Sequence, residues 1–228
     1  GYISRQPQFG AVFPNYSNTI SDDLQNEEIT SFEVGYGFIG KDLSFNINAY
    51  STSWGNRFVT RSLSNQQGVD GSAQFKNIDV VHNGIEFEGK YRLSNATKFK
   101  GMLSIGDWRY TKDFEAELFD DQQQSIGTGT LYLKDAKVGD AAQFTSYAEA
   151  DYRFGKFNVD LGYRINFSEQ ANSKFTTQTP NIKLNYYFLD GLNLNWDYAI
   201  NTFKNESSGQ INSFEIMSAS INFIKKDA

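Results

Sequence analysis

Apolar and polar residues alternate one by one along several stretches of this chain. The clearest stretch has one apolar row and one polar row: Phe157, Val159, Leu161, Tyr163, Ile165 and Phe167 against Asn158, Asp160, Gly162, Arg164, Asn166 and Ser168. Because successive side chains of an extended strand leave a sheet on opposite sides, a period of two predicts a β-strand. One apolar face and one charged face suit a wall that separates lipid from water.

The same alternation predicts nine complete strands and part of a tenth, the first at about 1–6 and the last at about 214–223. The connections alternate in length. Short turns are expected at 40–42, 94–98, 155–156 and 190–191; longer polar loops are expected at 7–28, 62–74, 112–141, 168–179 and 205–212, with a small hairpin at 130–133. Outer-membrane barrels have short periplasmic turns and long extracellular loops. We therefore predict an all-β fold, an antiparallel transmembrane β-barrel wall of about ten strands.

Composition fits this interpretation and excludes several kinds of chemistry. The 228 residues contain no apolar run of about 18, so no transmembrane helix is expected. The mean hydropathy of -0.53 does not argue against a barrel, whose strands need an apolar residue only at every second position. With no cysteine and one histidine, a thiolate or imidazole metal centre is excluded. The net charge of -6 makes nucleic acid an improbable partner.

Three motifs suggest chemistry, and each has a simpler explanation. Residues 35–40 spell G-x-G-x-x-G, but they lie on a predicted strand and turn with no following helix. His82 has Asp79 three positions before it, without a nucleophile to complete a catalytic set. The acidic run at 113–121 offers oxygen ligands for calcium without the spacing of a dedicated loop. We expect no catalytic residue, no metal site and no cofactor.

Aromatic and polar residues at the predicted loop ends are weak candidates for ligand binding at an extracellular mouth. Such side chains suit sugar or peptide ligands, although packing would also explain them. The candidates are Arg5, Trp54, Asn56, Arg57, Trp108 and Tyr110. Charged residues of the predicted inner face are expected to line water: Glu86, Glu88, Lys90, Arg92, Glu149, Asp151, Arg153, Asp160 and Arg164.

Four segments near the start resemble the C-terminal half of the barrel of a TonB-dependent outer-membrane receptor, of the Bacteroidetes type. They are residues 1–9 (GYISRQPQF), 24–36 (LQNEEITSFEVGY), 43–57 (LSFNINAYSTSWGNR) and 83–88 (NGIEFE). The last strand, with Met217, Ala219, Ile221 and Phe223 two apart, resembles the C-terminal signal of such barrels. The chain departs from the pattern by lacking a proline in 24–36, by having Gln6 where alanine is usual, and by five residues after Phe223.

The resemblance implies that residues 1–228 are the C-terminal portion of a barrel of about 22 strands, with the plug domain and TonB box absent from this chain. It also implies location in the bacterial cell outer membrane and active uptake of a nutrient ligand, without enzyme activity. The expected partners are the remaining barrel strands and plug of the same receptor, outer-membrane lipid, TonB acting through the plug, and a surface lipoprotein. Siderophore, oligosaccharide, cobalamin and peptide receptors share this kind of wall.

Two other interpretations stay open at the level of sequence. A complete ten-stranded outer-membrane barrel, acting as a structural protein, adhesin or protease, would need an interior filled by a charge network. A soluble carbohydrate-binding β-sandwich also has alternating strands, but its strands are shorter and its wet faces less charged.

Overall fold

The computed structural model describes residues 1–13, 18, 20–22, 24–63, 71–122, 124–139, 142–170, 173–189 and 192–223. The elements in chain order are β1 (Tyr2–Arg5), α1 (Phe9–Val12), β2 (Glu27–Ile39), β3 (Leu43–Leu63), β4 (Gly71–Arg92), β5 (Thr97–Tyr110), β6 (Phe114–Asp120), β7 (Ser125–Leu131), β8 (Phe144–Phe154), β9 (Phe157–Gln170), β10 (Ser173–Leu189), β11 (Leu192–Asn205) and β12 (Ile211–Phe223).

Within these described ranges, twelve strands form one sheet, and ten of them follow one another in the order β1-β2-β3-β4-β5-β8-β9-β10-β11-β12. These ten are the strands predicted from the alternation. The other two, β6 and β7, form a hairpin that joins the sheet through pairing of β6 with β4. The predicted hairpin at 130–133 was wrong in place and size, because the strands of the observed one span Phe114–Asp120 and Ser125–Leu131.

Most predicted long loops are shorter than expected because strands extend into them. Only 171–172 separate β9 from β10, so the polar loop predicted at 168–179 was wrong. Likewise β4 begins at Gly71, inside the loop predicted at 62–74, whose residues 64–70 lie outside the described part. Alternation reveals only strands that have an apolar face. Residues Ser173–Thr179 of β10 pair with β9 but have no continuous apolar row, so their sequence resembles a loop. At the start of β4 the strand is buried, but its buried residues include the polar Ser72 and Gln74.

The short turns are confirmed where they are described. Residues 40–42 join β2 to β3, 93–96 join β4 to β5, and 155–156 join β8 to β9. Gly155 has φ of +55°, a left-handed conformation that glycine adopts at no steric cost. The predicted turn at 190–191 lies outside the described residues.

The register across β8, β9, β10 and β11 places apolar residues beside apolar residues. Leu161 is paired with Ala150 on one side and Ile182 on the other, and Ile182 is paired in turn with Tyr198. Directly paired residues point to the same side of a sheet, so these rows form one continuous apolar face. Leu161 remains 52% exposed, which shows that the described chain does not cover this face.

Aromatic rings concentrate beside the short turns of this sheet. The Phe154 and Phe157 rings, which flank the turn at 155–156, lie 5.3 Å apart between centroids. The chain of rings continues through Tyr186, 4.7 Å from Phe157, to Phe188, 4.5 Å from Tyr186. Such a band is typical of the interface between hydrocarbon and water.

Two compact units divide the chain. The first consists of Gly1–Glu33, Tyr50–Asn83 and Asp107–Val138, and the second of Val34–Ala49, Gly84–Gly106 and Gly139–Ala228. The first unit contains a buried apolar cluster, formed by Ala73, Phe75, Ile78, Val80, Phe114, Ala116 and Val138. In the second unit the large apolar side chains are mainly exposed. Among the residues that the structure describes, no helix has the length and hydropathy needed to cross a bilayer.

The predicted contact of the apolar face with lipid can be tested at two consecutive positions of β10. Leu184 belongs to the apolar face and is 37% exposed, whereas Asn185 lies on the polar face between Asn158 and Asn195. Replacing Leu184 by Arg should lower the free energy of unfolding in lipid vesicles by about 2–4 kcal/mol, because a cation would enter hydrocarbon. Denaturant titration of the whole barrel that contains this chain measures the change. The control Asn185→Arg should cost much less, and an equal cost at both positions would contradict the assignment of faces.

Candidate functional site

All six residues predicted for ligand binding lie in the first unit. Two of them, Arg5 and Trp54, contact the buried carboxylate of Glu27, and a third, Arg57, lies against the Trp54 ring. Arg5 forms an ion pair with Glu27, which is 4% exposed. The indole Nε1 of Trp54 donates a hydrogen bond of 3.2 Å to Oε2 of the same residue. The guanidinium carbon of Arg57 lies 4.2 Å from the centre of the Trp54 ring, a distance typical of a cation–π contact.

Asp79 organises a second group that includes the predicted residue Asn56. Asn56 has φ of 58°, and its backbone N–H donates to Asp79 Oδ1 at 2.9 Å. The other carboxylate oxygen, Oδ2, lies 2.6 Å from Lys112 Nζ. The Asn56 amide also donates to the carbonyl of Asn26 at 3.0 Å, which connects β3 to the segment before β2. The Asp79 carboxylate therefore connects β3, through Asn56, to Lys112, which follows β5.

The predicted residues Trp108 and Tyr110 lie against the buried apolar cluster of the first unit. Trp108 Nε1 donates to the hydroxyl of Tyr50 at 3.2 Å, and the His82 ring lies 5.4 Å from the Trp108 ring. Tyr110 contacts Phe114 edge to face at 5.7 Å. Packing accounts for both residues, and a role in ligand binding stays a prediction.

Sequence reasoning missed Glu27, the residue on which Arg5 and Trp54 converge. It falls in the segment predicted as a loop at 7–28, whereas β2 begins at Glu27 and pairs it with Arg5. The register between β1 and β2 brings these side chains together. The alternation within one segment predicts a strand but not its register with another strand.

Asp107 links β5 to the chain that follows the β6–β7 hairpin. Both of its carboxylate oxygens accept hydrogen bonds from Arg109 Nε, at 2.9 and 3.0 Å, and it forms an ion pair with Lys137. Arg109 also donates to the carbonyl of Asp135 at 3.0 Å. The hydrogen bond from Lys137 holds the pKa of Asp107 below its usual value of 3.8, and Arg109 lowers it further.

The acidic run at 113–121 has structural contacts that explain much of it. Asp113 accepts the backbone N–H of Lys134 at 2.8 Å, and Asp120 accepts two backbone N–H groups in the turn between β6 and β7. Within the described ranges, no three His, Cys, Asp or Glu side chains are arranged to hold a metal ion. The run is spread along a strand, so its carboxylates do not converge as calcium ligands must.

The second unit has a polar face with a concavity of about 300 Å³. Lys100 and Glu149 are paired across β5 and β8 and form an ion pair at 2.5 Å, and the Tyr147 hydroxyl donates to Glu149. Tyr147 has room because Gly162 lies below it, where a Cβ atom would stand 2.8 Å from the tyrosine hydroxyl. The concavity is lined mainly by residues of this face, including Asn46, Asn48, Glu86, Glu88, Lys90, Lys100 and Tyr147.

A family model described as TonB dependent receptor-like, beta-barrel, matches residues 1–132. That match covers more than half of the chain. The chain belongs to this family. It is accordingly a bacterial outer-membrane protein with an all-β antiparallel barrel fold.

Solved structures also align with this TonB-dependent receptor barrel, and an example covers most of the present chain. It is the crystal structure of the outer membrane channel DcaP of Acinetobacter baumannii, with 11% identity and a TM-score of 0.44 over 97% of this chain and 71% of that one. A similarity at this level carries no argument about function. A comparison with curated proteins found no match.

Because the chain belongs to this family, the surroundings of each face of the sheet can be assigned. The exposed apolar rows of the second unit face lipid, and the opposite polar face is the inner surface of a barrel wall. In β9 the first face contains Leu161 and Tyr163, and the second contains Asp160 and Arg164. The charged residues predicted for the inner face include Glu86, Glu88 and Lys90, which line the 300 Å³ concavity on this side.

Replacing Glu27 by Ala should loosen the first unit, because Arg5 loses its ion pair and the Trp54 N–H loses its acceptor. A buried group left without a hydrogen bond costs about 1–3 kcal/mol. Hydrogen exchange of the amides in β1 and at the start of β2 should become faster by about tenfold. The control is Glu28→Ala, which removes an exposed carboxylate bonded to Tyr2 at 3.2 Å. Equal exchange in both variants would show that Glu27 does not organise this region.

The depressed pKa of Asp107 predicts a loss of local stability in acid. A carboxyl group whose pKa is lowered by folding stabilises the folded state above its unfolded pKa, and this contribution disappears as the pH falls through the folded pKa. Fluorescence of Trp108, in a Trp54→Phe and Trp196→Phe background, should therefore change below about pH 3.8. Asp107→Asn should remove that transition. An unchanged transition in Asp107→Asn would assign it to another carboxyl group.

Proposed function

We propose that this chain is the C-terminal wall of a TonB-dependent receptor that takes up a nutrient ligand across the outer membrane. The proposal rests on two observations together: the chain belongs to this family, and the sheet of its second unit has two different faces. Its apolar rows remain exposed, and its opposite face has an ion-paired polar surface with a concavity. A wall with these two faces keeps a wet interior within lipid, as a transporter requires.

The terminal strands support the proposal that further strands complete the barrel. β1 and β12 are the two ends of the described strand order, and each has one strand neighbour within it. An unpaired strand edge in hydrocarbon costs several kcal/mol for each unsatisfied backbone group. We expect those edges to pair with strands of the same receptor, in a barrel of about 22 strands that encloses a plug.

The remaining partners follow from the same proposal. TonB would act through the plug, and a surface lipoprotein would contact the ligand-binding end. The motifs at 1–9, 24–36, 43–57 and 83–88 favour the Bacteroidetes type of receptor. Arg5, Trp54 and Arg57 form the part of the predicted mouth where cationic and aromatic side chains meet. We propose no enzyme activity for this wall.

Uptake is tested by deleting the gene and comparing growth on single nutrients of four classes: iron siderophores, oligosaccharides, cobalamin and peptides. The proposal predicts loss of growth on one class, an equal loss in a strain without TonB, and recovery when the gene is restored. Growth that needs this gene but not TonB would contradict active uptake.

The competing ten-stranded barrel is tested by the native mass of the protein extracted from outer membranes. Our proposal expects upstream coding sequence of about 500 or more residues with a plug, and a correspondingly large particle. A signal peptide immediately before Gly1, with a mass near the 25.8 kDa of this chain, would support the small barrel instead.

A further inference from the structure

The β4–β6 ladder of the first unit has an apolar face and a polar face. Ala73 and Phe75 of β4 belong to the buried apolar cluster, together with Ala116, the partner of Phe75. On the other face Gln74 is paired with Glu117. This polar face borders a concavity of about 350 Å³, whose lining includes Asp22, Gln74, Lys76, Lys112, Asp113, Glu115 and Glu117.

The Gln74 side chain is buried, with one polar atom unsatisfied within the described ranges. It is 2% exposed, and among the described residues no donor reaches its Oε1 atom. A buried amide oxygen without a hydrogen bond costs about 1–3 kcal/mol, so native proteins rarely keep one without a purpose. Its neighbours on the same face, Lys76 and the cross-strand Glu117, also line the concavity, so the Gln74 side chain is directed to the same space.

The charges around this space favour a cation. Four carboxylates and two lysine ammonium groups line it. Both ammonium groups are already paired: Lys76 lies 3.8 Å from Glu117, and Lys112 lies 2.6 Å from Asp79. Within the described part of the chain, the carboxylates of Asp22, Asp113 and Glu115 have no ion pair.

The chemistry of the ligand follows from the arrangement of the hydrogen-bond acceptors, which line the concavity but do not converge on one point. The described residues offer no group of three acidic side chains arranged for a metal ion. A ligand that donates several N–H groups from one positive centre can reach separate acceptors, as ammonium and guanidinium groups do. We propose that this concavity binds a protonated amine or guanidinium group, with Gln74 Oε1 accepting one N–H and Glu115 supplying an unpaired negative charge. Binding would occur whether or not the barrel imports the ligand, so this proposal and that of uptake can fail separately.

Isothermal titration of the purified barrel in detergent tests the site with four probes. Cadaverine is a free amine, Nα-acetyl-lysine methylamide represents a lysine side chain of a peptide, Nα-acetyl-arginine methylamide presents a guanidinium group, and tetramethylammonium has the charge without N–H donors. We expect at least one N–H donor to bind, and tetramethylammonium to bind at least about tenfold more weakly because it cannot satisfy Gln74. Preference for cadaverine would indicate a free amine, and preference for either amino-acid derivative a peptide. Equal affinity for tetramethylammonium, or no binding of any probe, would overturn the proposal.

Three variants separate binding from folding. Gln74→Met keeps the shape and removes the acceptor, and should weaken binding by about ten- to a hundredfold. Glu115→Gln, on the exposed side of β6, should weaken it less and leave the fold unchanged. The matched control Gln124→Met changes an exposed residue of the turn between β6 and β7 and should bind as the unaltered protein does. Unaltered affinity in both Gln74→Met and Glu115→Gln would overturn the site, even if Gln74→Met raises thermal stability by removing a buried polar atom.

Discussion

Main-chain hydrogen bonding between neighbouring strands is the constraint on which the rest of this structure depends. The strands β8 to β11 are paired with their neighbours along most of their length, so little backbone polarity has to be met by the surroundings. Side chains on the two faces are then free to meet different solvents. The register decides which residues share a face, and it places Leu161 with Ala150 and Ile182 on one side.

On the opposite face the same register brings together residues that are far apart in sequence. Lys100 and Glu149 are 49 positions apart, yet they are direct partners and form an ion pair. Asp151 and Asp160 are also direct partners, and Asn158 donates to both carboxylates at 3.2 Å. A neutral donor between two acids lessens their repulsion where like charges lie directly opposite. The polar face is therefore an organised network of hydrogen bonds and charges.

Sequence reasoning succeeded where one physical rule acts over a whole segment. An apolar residue at every second position is required by lipid on one side, and it revealed the ten strands of the main order. It failed at Ser173–Thr179 of β10, which has no continuous apolar row, and at the beginning of β4, where the polar Ser72 and Gln74 are buried along with Ala73. It also missed Glu27 and Gln74. Their environment is made by cross-strand partners and by burial, and neither can be read from a single segment.

The branch formed by β6 has a mechanical consequence for the region it belongs to. Residues Ala116–Asp120 of β6 are hydrogen-bonded to Gly71–Phe75 of β4, and the apolar side of this ladder is buried. A segment fastened in this way cannot swing aside like a free flap without shearing several main-chain bonds together. Adaptation to a bound ligand would therefore come from changes of side-chain rotamer on a rigid backbone. Such a region favours ligands whose shape fits the existing backbone over those that require the backbone to move.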